Sequence, residues 1–211
     1  MNITEYESTG HALYDEFCKS VAGLLEQAIQ GETGYRLQQI QSRAKDPFSL
    51  RARLEEKNAI ESNEIETLRK DLAGCRIIFY TNNDVSRFTT SGLLSDLFDI
   101  DRDRSKIHEP DLDSQNARDL FQSCNYVVRL KDARTALPES ALFKDLLCEV
   151  QVQTILNHAW AEMAHDTIYK RPEIRGFGAN DMAMIERRLK EVMLQHLLPA
   201  GIFFPENRQR L

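Results

Sequence analysis

Asp71-Leu72-Ala73-Gly74-Cys75-Arg76-Ile77-Ile78-Phe79-Tyr80 and, further on, Glu149-Val150-Gln151-Val152-Gln153-Thr154 decide the fold. Both are short runs rich in β-branched or aromatic residues, the mark of a strand, and each carries or adjoins one carboxylate. The second alternates. Glu149, Gln151 and Gln153 fall on one face and Val150 and Val152 on the other, so one face is polar and points toward water or chemistry. Each strand adjoins a helical pattern. Two carboxylates on neighbouring strands can hold a divalent metal over a triphosphate, which makes phosphoryl-type transfer the leading idea.

Outward from these runs, Leu13, Phe17, Val21, Leu24, Leu25 and Ala28 recur at helical spacing over about 10–30. Gly31-Glu32-Thr33-Gly34 breaks that helix. Ser42-Arg43-Ala44-Lys45-Asp46-Pro47-Phe48-Ser49 reads as a basic turn, with Pro47 opening a helix over 48–57. A short helix is expected over 62–70, capped by Ser62 or Asn63, and a longer one over 84–98. Residues 101–119 are highly charged and nearly free of apolar side chains, and read as a mobile loop. Strands are expected over 125–130 and 146–153. Helices are expected over about 154–169 and 180–197, the last ended by Pro199 and Gly201. Strands separated by helices predict an α/β (α+β) domain, a mixed β-sheet flanked by helices, with further helices at the N- and C-terminal ends. The expected division is an N-terminal helical segment over 1–42, a core over 43–178, and a C-terminal helix and tail over 179–211.

An apolar content of 42% in 211 residues supplies a core for one domain. The formal charge of −6 argues against general binding to a nucleic-acid backbone. No run of about 18 apolar residues reads as a membrane span. The acidic start, Met1-Asn2-Ile3-Thr4-Glu5-Tyr6-Glu7, lacks a signal-peptide core, so the expected compartment is cytoplasmic. Cys18, Cys75, Cys124 and Cys148 have no metal-site spacing and read as buried, reduced thiols.

Four blocks carry a resemblance. They are Arg43-x-Lys45-x-x-x-Ser49; Asp71-Leu-Ala-Gly-x-Arg76-Ile; the weaker Phe121-Gln122-Ser123-Cys124-Asn125; and Glu149-x-Gln151-x-Gln153-Thr154 leading into Asn157-His158-Ala159-Trp160-Ala161-Glu162 and His165-Asp166. In this order the chain, over about 43–201, resembles the synthetase domain of the RelA/SpoT alarmone family. The resemblance implies a nucleotidyltransferase-like sheet and a magnesium-dependent reaction. ATP donates its β,γ-diphosphate to the 3′-hydroxyl of GDP or GTP, AMP leaves, and a (p)ppGpp alarmone forms. Asp71 and Glu149 would be the catalytic acids and Mg²⁺ ligands, with Glu149 alternatively taking the proton of the attacking hydroxyl. Arg43, Lys45, Ser49, Arg53, Lys57 and Arg76 would face ATP. Phe121, Gln122, Ser123, Asn125, Arg118, Gln151, Gln153 and His158 would face the acceptor nucleotide. The 211 residues have no room for the N-terminal hydrolase of bifunctional members.

The departures lie on the acceptor side. The family's third block reads Tyr-x-Ser-x-His, whereas here Phe121 keeps a stacking face without the hydroxyl and Asn125 cannot carry a proton or charge. The lysine that precedes that tyrosine in the family is missing, with only Arg118 basic nearby. An altered acceptor is therefore the alternative: adenosine nucleotides or tRNA 3′ ends, as in toxin-like relatives with an antitoxin partner, or a non-catalytic nucleotide-binding module. A homo-oligomer is compatible with the sequence. Taken alone, Asp71 could cap a turn, and Arg43, Lys45, Arg53 and Lys57 could be a solvated helix face. The 101–119 loop would close over the acceptor.

Overall fold

The computed structural model describes residues 1–114, 120, 122–164 and 179–201. Its frame is a five-stranded mixed sheet of β1 (Leu37–Ala44), β2 (Ala73–Phe79), β3 (Phe98–His108), β4 (Ser123–Leu130) and β5 (Cys148–Thr154), in the order β1-β2-β5-β4-β3. Only β2 and β5 run parallel; the other neighbours are antiparallel. Nine α-helical elements are assigned among the described residues: α1 (Ile3–Glu5), α2 (His11–Gly31), α3 (Pro47–Glu56), α4 (Ile65–Leu68), α5 (Asn82–Thr90), α6 (Leu93–Leu97), α7 (Asp132–Thr135), α8 (Ile155–Ala164) and α9 (Ala179–Val192). None of them is long and apolar enough to cross a membrane.

The alternation of β2 and β5 sorts the sheet into two faces. Ala73, Cys75, Ile77 and Phe79 join Cys148, Val150 and Val152 in one buried cluster with Phe17, Val21 and Leu25 of α2, Phe88 of α5 and Leu94 of α6. Helix α2 supplies its side through residues spaced at three and four: Tyr14, Phe17, Cys18, Val21, Leu25 and Ile29 are all buried. The opposite face of the sheet is polar. A second, smaller cluster seals the far end, where Trp160 and Ala164 of α8 pack with Leu120 and Met193.

Several expectations are corrected. The 37–44 stretch is a strand, so Arg43 stands on sheet edge β1 and not in a turn; the turn is confined to Lys45-Asp46. Strand β1 also crosses residue 42, and α2 shares the central core. The basic turn does launch a helix: Asp46 Oδ1 accepts from the Ser49 amide at 2.8 Å, and Pro47 sits in the first turn of α3. The helix expected over 62–70 shortens to α4, and among the described residues its N-cap, Glu64, makes no capping hydrogen bond through its side chain. The helix expected over 84–98 is split, because Gly92 takes a φ of 83°.

The largest correction is the charged 101–119 segment. Residues as far as His108 belong to an edge strand, β3, with a register shift between Asp101 and Lys106; residues 115–119 lie outside the described residues, as does the end of the helix expected to 169. The last helix does not stop at Pro199. A π-turn over Met193–Leu197 precedes helical residues 198–201.

Candidate active site

Two rows of paired residues cross the polar face of the sheet. One runs Arg43, Gly74, Glu149, Val127; the other runs Gln41, Arg76, Gln151, Asn125, Lys106. Gly74 has no side chain, so a gap opens between Arg43 and Glu149. The gap is the floor of a cleft of about 390 Å³. Arg43, Lys45, Asp71, Arg76, Glu149 and Gln151 line it, with His158 and Glu162 from α8 above. The parallel β2–β5 pair explains the meeting of the two acids: Asp71 stands just before β2, and Glu149 sits opposite Gly74 on β5.

Each acid is held by cations. Asp71 accepts from Lys45 Nζ at 2.8 Å and from Arg69 through Nε at 3.0 Å and Nη2 at 2.8 Å. Burial works to raise the Asp71 pKa, but the Lys45 hydrogen bond and charge, with Arg69 behind them, outweigh it and hold the carboxyl below its ordinary value. Glu149 is only 9% exposed; Lys70 Nζ lies 3.1 Å from its Oε1, and Gln151 Nε2 donates to its Oε2 at 2.9 Å.

Arg76 links β2, β5 and α8. It donates through Nε to Gln151 Oε1 at 3.2 Å and through Nη1 to Glu162 Oε1 at 2.7 Å, with His158 Nδ1 at 3.1 Å from Nη1. Burial, then the Arg76 charge, lowers the His158 pKa, with Glu162 opposing, so the imidazole is neutral near neutral pH. Gln153 Nε2 lies 3.5 Å from the same His158 nitrogen, and its buried Oε1 has no hydrogen-bond partner among the described residues. Gln153 is 1% exposed, so this end of the polar face is covered and not open to water as the alternation implied.

The remaining candidates separate. On β4, Ser123 Oγ donates to Asn125 Oδ1 at 2.7 Å, both side chains buried, and Gln122 Oε1 accepts from Asn157 Nδ2 at 3.3 Å. Ser49, Arg53 and Lys57 are not among the residues lining the cleft. Ser49 Oγ bonds Asp46 Oδ1 at 2.8 Å, Arg53 pairs with Glu56, and Lys57 is exposed at the end of α3. Phe121, Arg118, His165 and Asp166 lie outside the described residues. Sequence reasoning missed Arg69 and Lys70. A basic pair before an acid reads as a helix end, and only their position directly before Asp71 could have flagged them.

The donor set suits a magnesium ion. Two carboxylates on one cleft, Asp71 held ionised, offer the hard oxygen ligands that magnesium takes while keeping water and phosphate oxygens on its other positions. Among the described residues no group of three or more His, Cys, Asp or Glu side chains gathers as a metal cage.

A family model described as a region found in RelA / SpoT proteins matches residues 42–174. None of the curated proteins compared with the chain matches it. Among solved structures, small alarmone synthetase 1 from Bacillus subtilis aligns with a TM-score of 0.72 at 18% identity, covering 97% of this chain and 99% of that one. The same enzyme bound to AMPCPP aligns at 0.65 and 19% identity, covering 95% and 96%. Its complex with the product pppGpp aligns at 0.72 and 18%, covering 98% of both chains. Identities this low speak for a shared fold. The family match spans more than half of the 211 residues and contains both acids and strands β2 to β5, and the chain belongs to the RelA/SpoT family.

Proposed function

We propose that the protein is an ATP-dependent pyrophosphotransferase that moves the β,γ-diphosphate of ATP to the 3′-hydroxyl of GDP or GTP, forming (p)ppGpp in the cytoplasm. One observation carries this reading: Asp71 and Glu149 line a single cleft with Arg43 and Lys45, and Gly74 leaves the space between them. Arg43 and Lys45 draw the triphosphate in. Asp71 and Glu149 would hold Mg²⁺, which when bound supplies neutralisation of the phosphate charge. The attacking oxygen forms a bond to the β-phosphorus, the bond to the α-phosphate bridge breaks, and AMP leaves. As the alternative to holding the metal, Glu149, whose Oε2 accepts from the Gln151 amide, would take the proton of the attacking hydroxyl.

A second reading keeps the donor chemistry and changes the acceptor. The observation favouring it is the Ser123–Asn125 pair, which closes on itself where a protonatable side chain would otherwise stand. Incubation with labelled ATP, Mg²⁺ and, separately, GDP, GTP, ADP, ATP and tRNA tests both, with Glu149→Gln as control. Transfer to guanosine nucleotides, lost by about three orders of magnitude in Glu149→Gln, is the expected result. Transfer only to adenosine nucleotides or tRNA gives the second reading. Nucleotide binding with no transfer to any acceptor leaves a binding module.

A further inference from the structure

Both acids of the cleft are already occupied by the chain's own cations. Asp71 is held by Lys45 at 2.8 Å and Arg69 at 2.8 Å, and Glu149 by Lys70 at 3.1 Å. Three positive charges thus face two negative ones. Lys70 differs from the other two because its ammonium also donates to the backbone carbonyl of Arg104 at 3.1 Å. Arg104 lies in the irregular stretch of β3 between Asp101 and Lys106. Its carbonyl gives Lys70 a second partner besides Glu149. The exposures set the order of encounter: the Lys70 side chain is 37% exposed and that of Glu149 only 11%, so the cation stands in front of the acid.

We infer that Lys45, Arg69 and Lys70 form a charge-exchange set, with Lys70 its movable member, which keeps a lone divalent cation out of the cleft and admits it only with a nucleoside triphosphate. The inference rests on the pyrophosphotransferase reading for the identity of that ligand. A divalent ion arriving alone must displace cations from both acids and leaves three positive charges beside it without counter-charge, an arrangement heavily penalised at a half-buried site. A metal-bound triphosphate brings the replacement partners with it. The carboxylates pass to the metal, the freed ammonium and guanidinium groups pass to phosphate oxygens, and every charge keeps an opposite neighbour. Lys70, which has the Arg104 carbonyl as a second partner, passes from Glu149 to phosphate.

The test uses the full chain as wild type, Lys70→Met and Lys70→Arg. Mn²⁺ binding is measured by electron paramagnetic resonance without nucleotide, and binding of a non-hydrolysable ATP analogue with Mn²⁺ by calorimetry. Wild type should bind Mn²⁺ alone only weakly. In Lys70→Met, Glu149 loses its cation, so Mn²⁺ alone should bind about tenfold tighter while the metal–analogue complex binds about tenfold weaker. Lys70→Arg should move both values back toward wild type. A general loosening of the site would weaken both, so opposite signs from one substitution identify the exchange. Unchanged or weaker Mn²⁺ binding in Lys70→Met, or unchanged binding of the complex, overturns it. If circular dichroism shows Lys70→Met to be unfolded, Lys70→Gln carries the same two measurements. Neither readout needs turnover. Binding of the complex without transfer to any acceptor would sink the pyrophosphotransferase reading alone, whereas transfer without the opposite shifts would sink this inference alone.

Discussion

Gly74 stands between Arg43 on one neighbouring strand and Glu149 on the other. Its backbone is outside the left-handed region, and an added Cβ would meet the Arg43 carbonyl oxygen at 3.7 Å, an ordinary contact. The strand therefore tolerates a side chain there, and it is the cleft that needs the space. Gly74→Ala should leave stability unchanged or raise it by up to about 1 kcal/mol, because glycine is costly in a strand. The same methyl should weaken ATP binding roughly tenfold by narrowing the floor. A thermal melt paired with an ATP titration separates the two effects, and a lower melting temperature with unchanged ATP binding would reverse the reading. At this scale the sequence was legible where chemistry is local. Asp71 and Glu149 show themselves as lone acids in or beside a strand pattern, Gly74 and Arg76 enter through the resemblance, and all four line the cleft. Lys70 does not, because its partner Glu149 comes from a strand far along the chain and only the parallel β2–β5 pairing brings them together.

The elements that sequence periodicity reads well are those with one buried face. Helix α2 is the clear case, with its apolar residues at three- and four-residue spacing. Strand β3 is the opposite case. Among the described residues it pairs with one neighbour, β4, and of its eleven residues only Phe98 is buried. Charges along such an edge are what keep it from pairing with another sheet, and they are also what made it look like a loop. Helix α8 matters more to the site because it carries His158 and Glu162 over the cleft, and Trp160 anchors it. Trp160 is 1% exposed and donates from Nε1 to the Leu189 carbonyl at 3.3 Å. Trp160→Ala should cost about 3–5 kcal/mol through the cavity left between α8 and α9. Trp160→Phe should cost about 1 kcal/mol or somewhat more, losing the hydrogen bond and part of the ring volume. Urea denaturation followed by circular dichroism measures both. If Trp160→Ala unfolds at the wild-type midpoint, the second cluster does not brace α8.

Across the whole molecule the sheet divides labour: the polar face carries the cleft, and the other face is sealed by α2, α5 and α6. Three thiols sit in that seal. Cys75 and Cys148 lie on the adjacent strands β2 and β5, and Cys18 reaches them from α2, all buried; Cys124 is half-buried on β4. Burial pushes the Cys75 thiol up to about 12, and raises Cys148, Cys18 and Cys124 above the ordinary value as well. The thiolate is the reactive form, so a thiol that is both buried and held protonated reacts only when the chain opens. An alkylating reagent at mildly alkaline pH should therefore modify Cys124 first in the native protein. Cys18, Cys75 and Cys148 should then react together as urea is raised, with one shared midpoint. The comparison bears on how the chain is divided. Cys18 belongs to the N-terminal segment that sequence reading set apart at residue 42, whereas Cys75 and Cys148 belong to the central strands. Their packing in one cluster makes α2 a wall of the same core and not an appended helix, so loss of α2 would expose the back of the strands that carry Gly74 and Glu149. Labelling of Cys18 at distinctly lower urea than Cys75 would show that α2 detaches first and that the cleft-bearing strands stand without it; a common midpoint would show that helix and sheet fold as one cooperative unit.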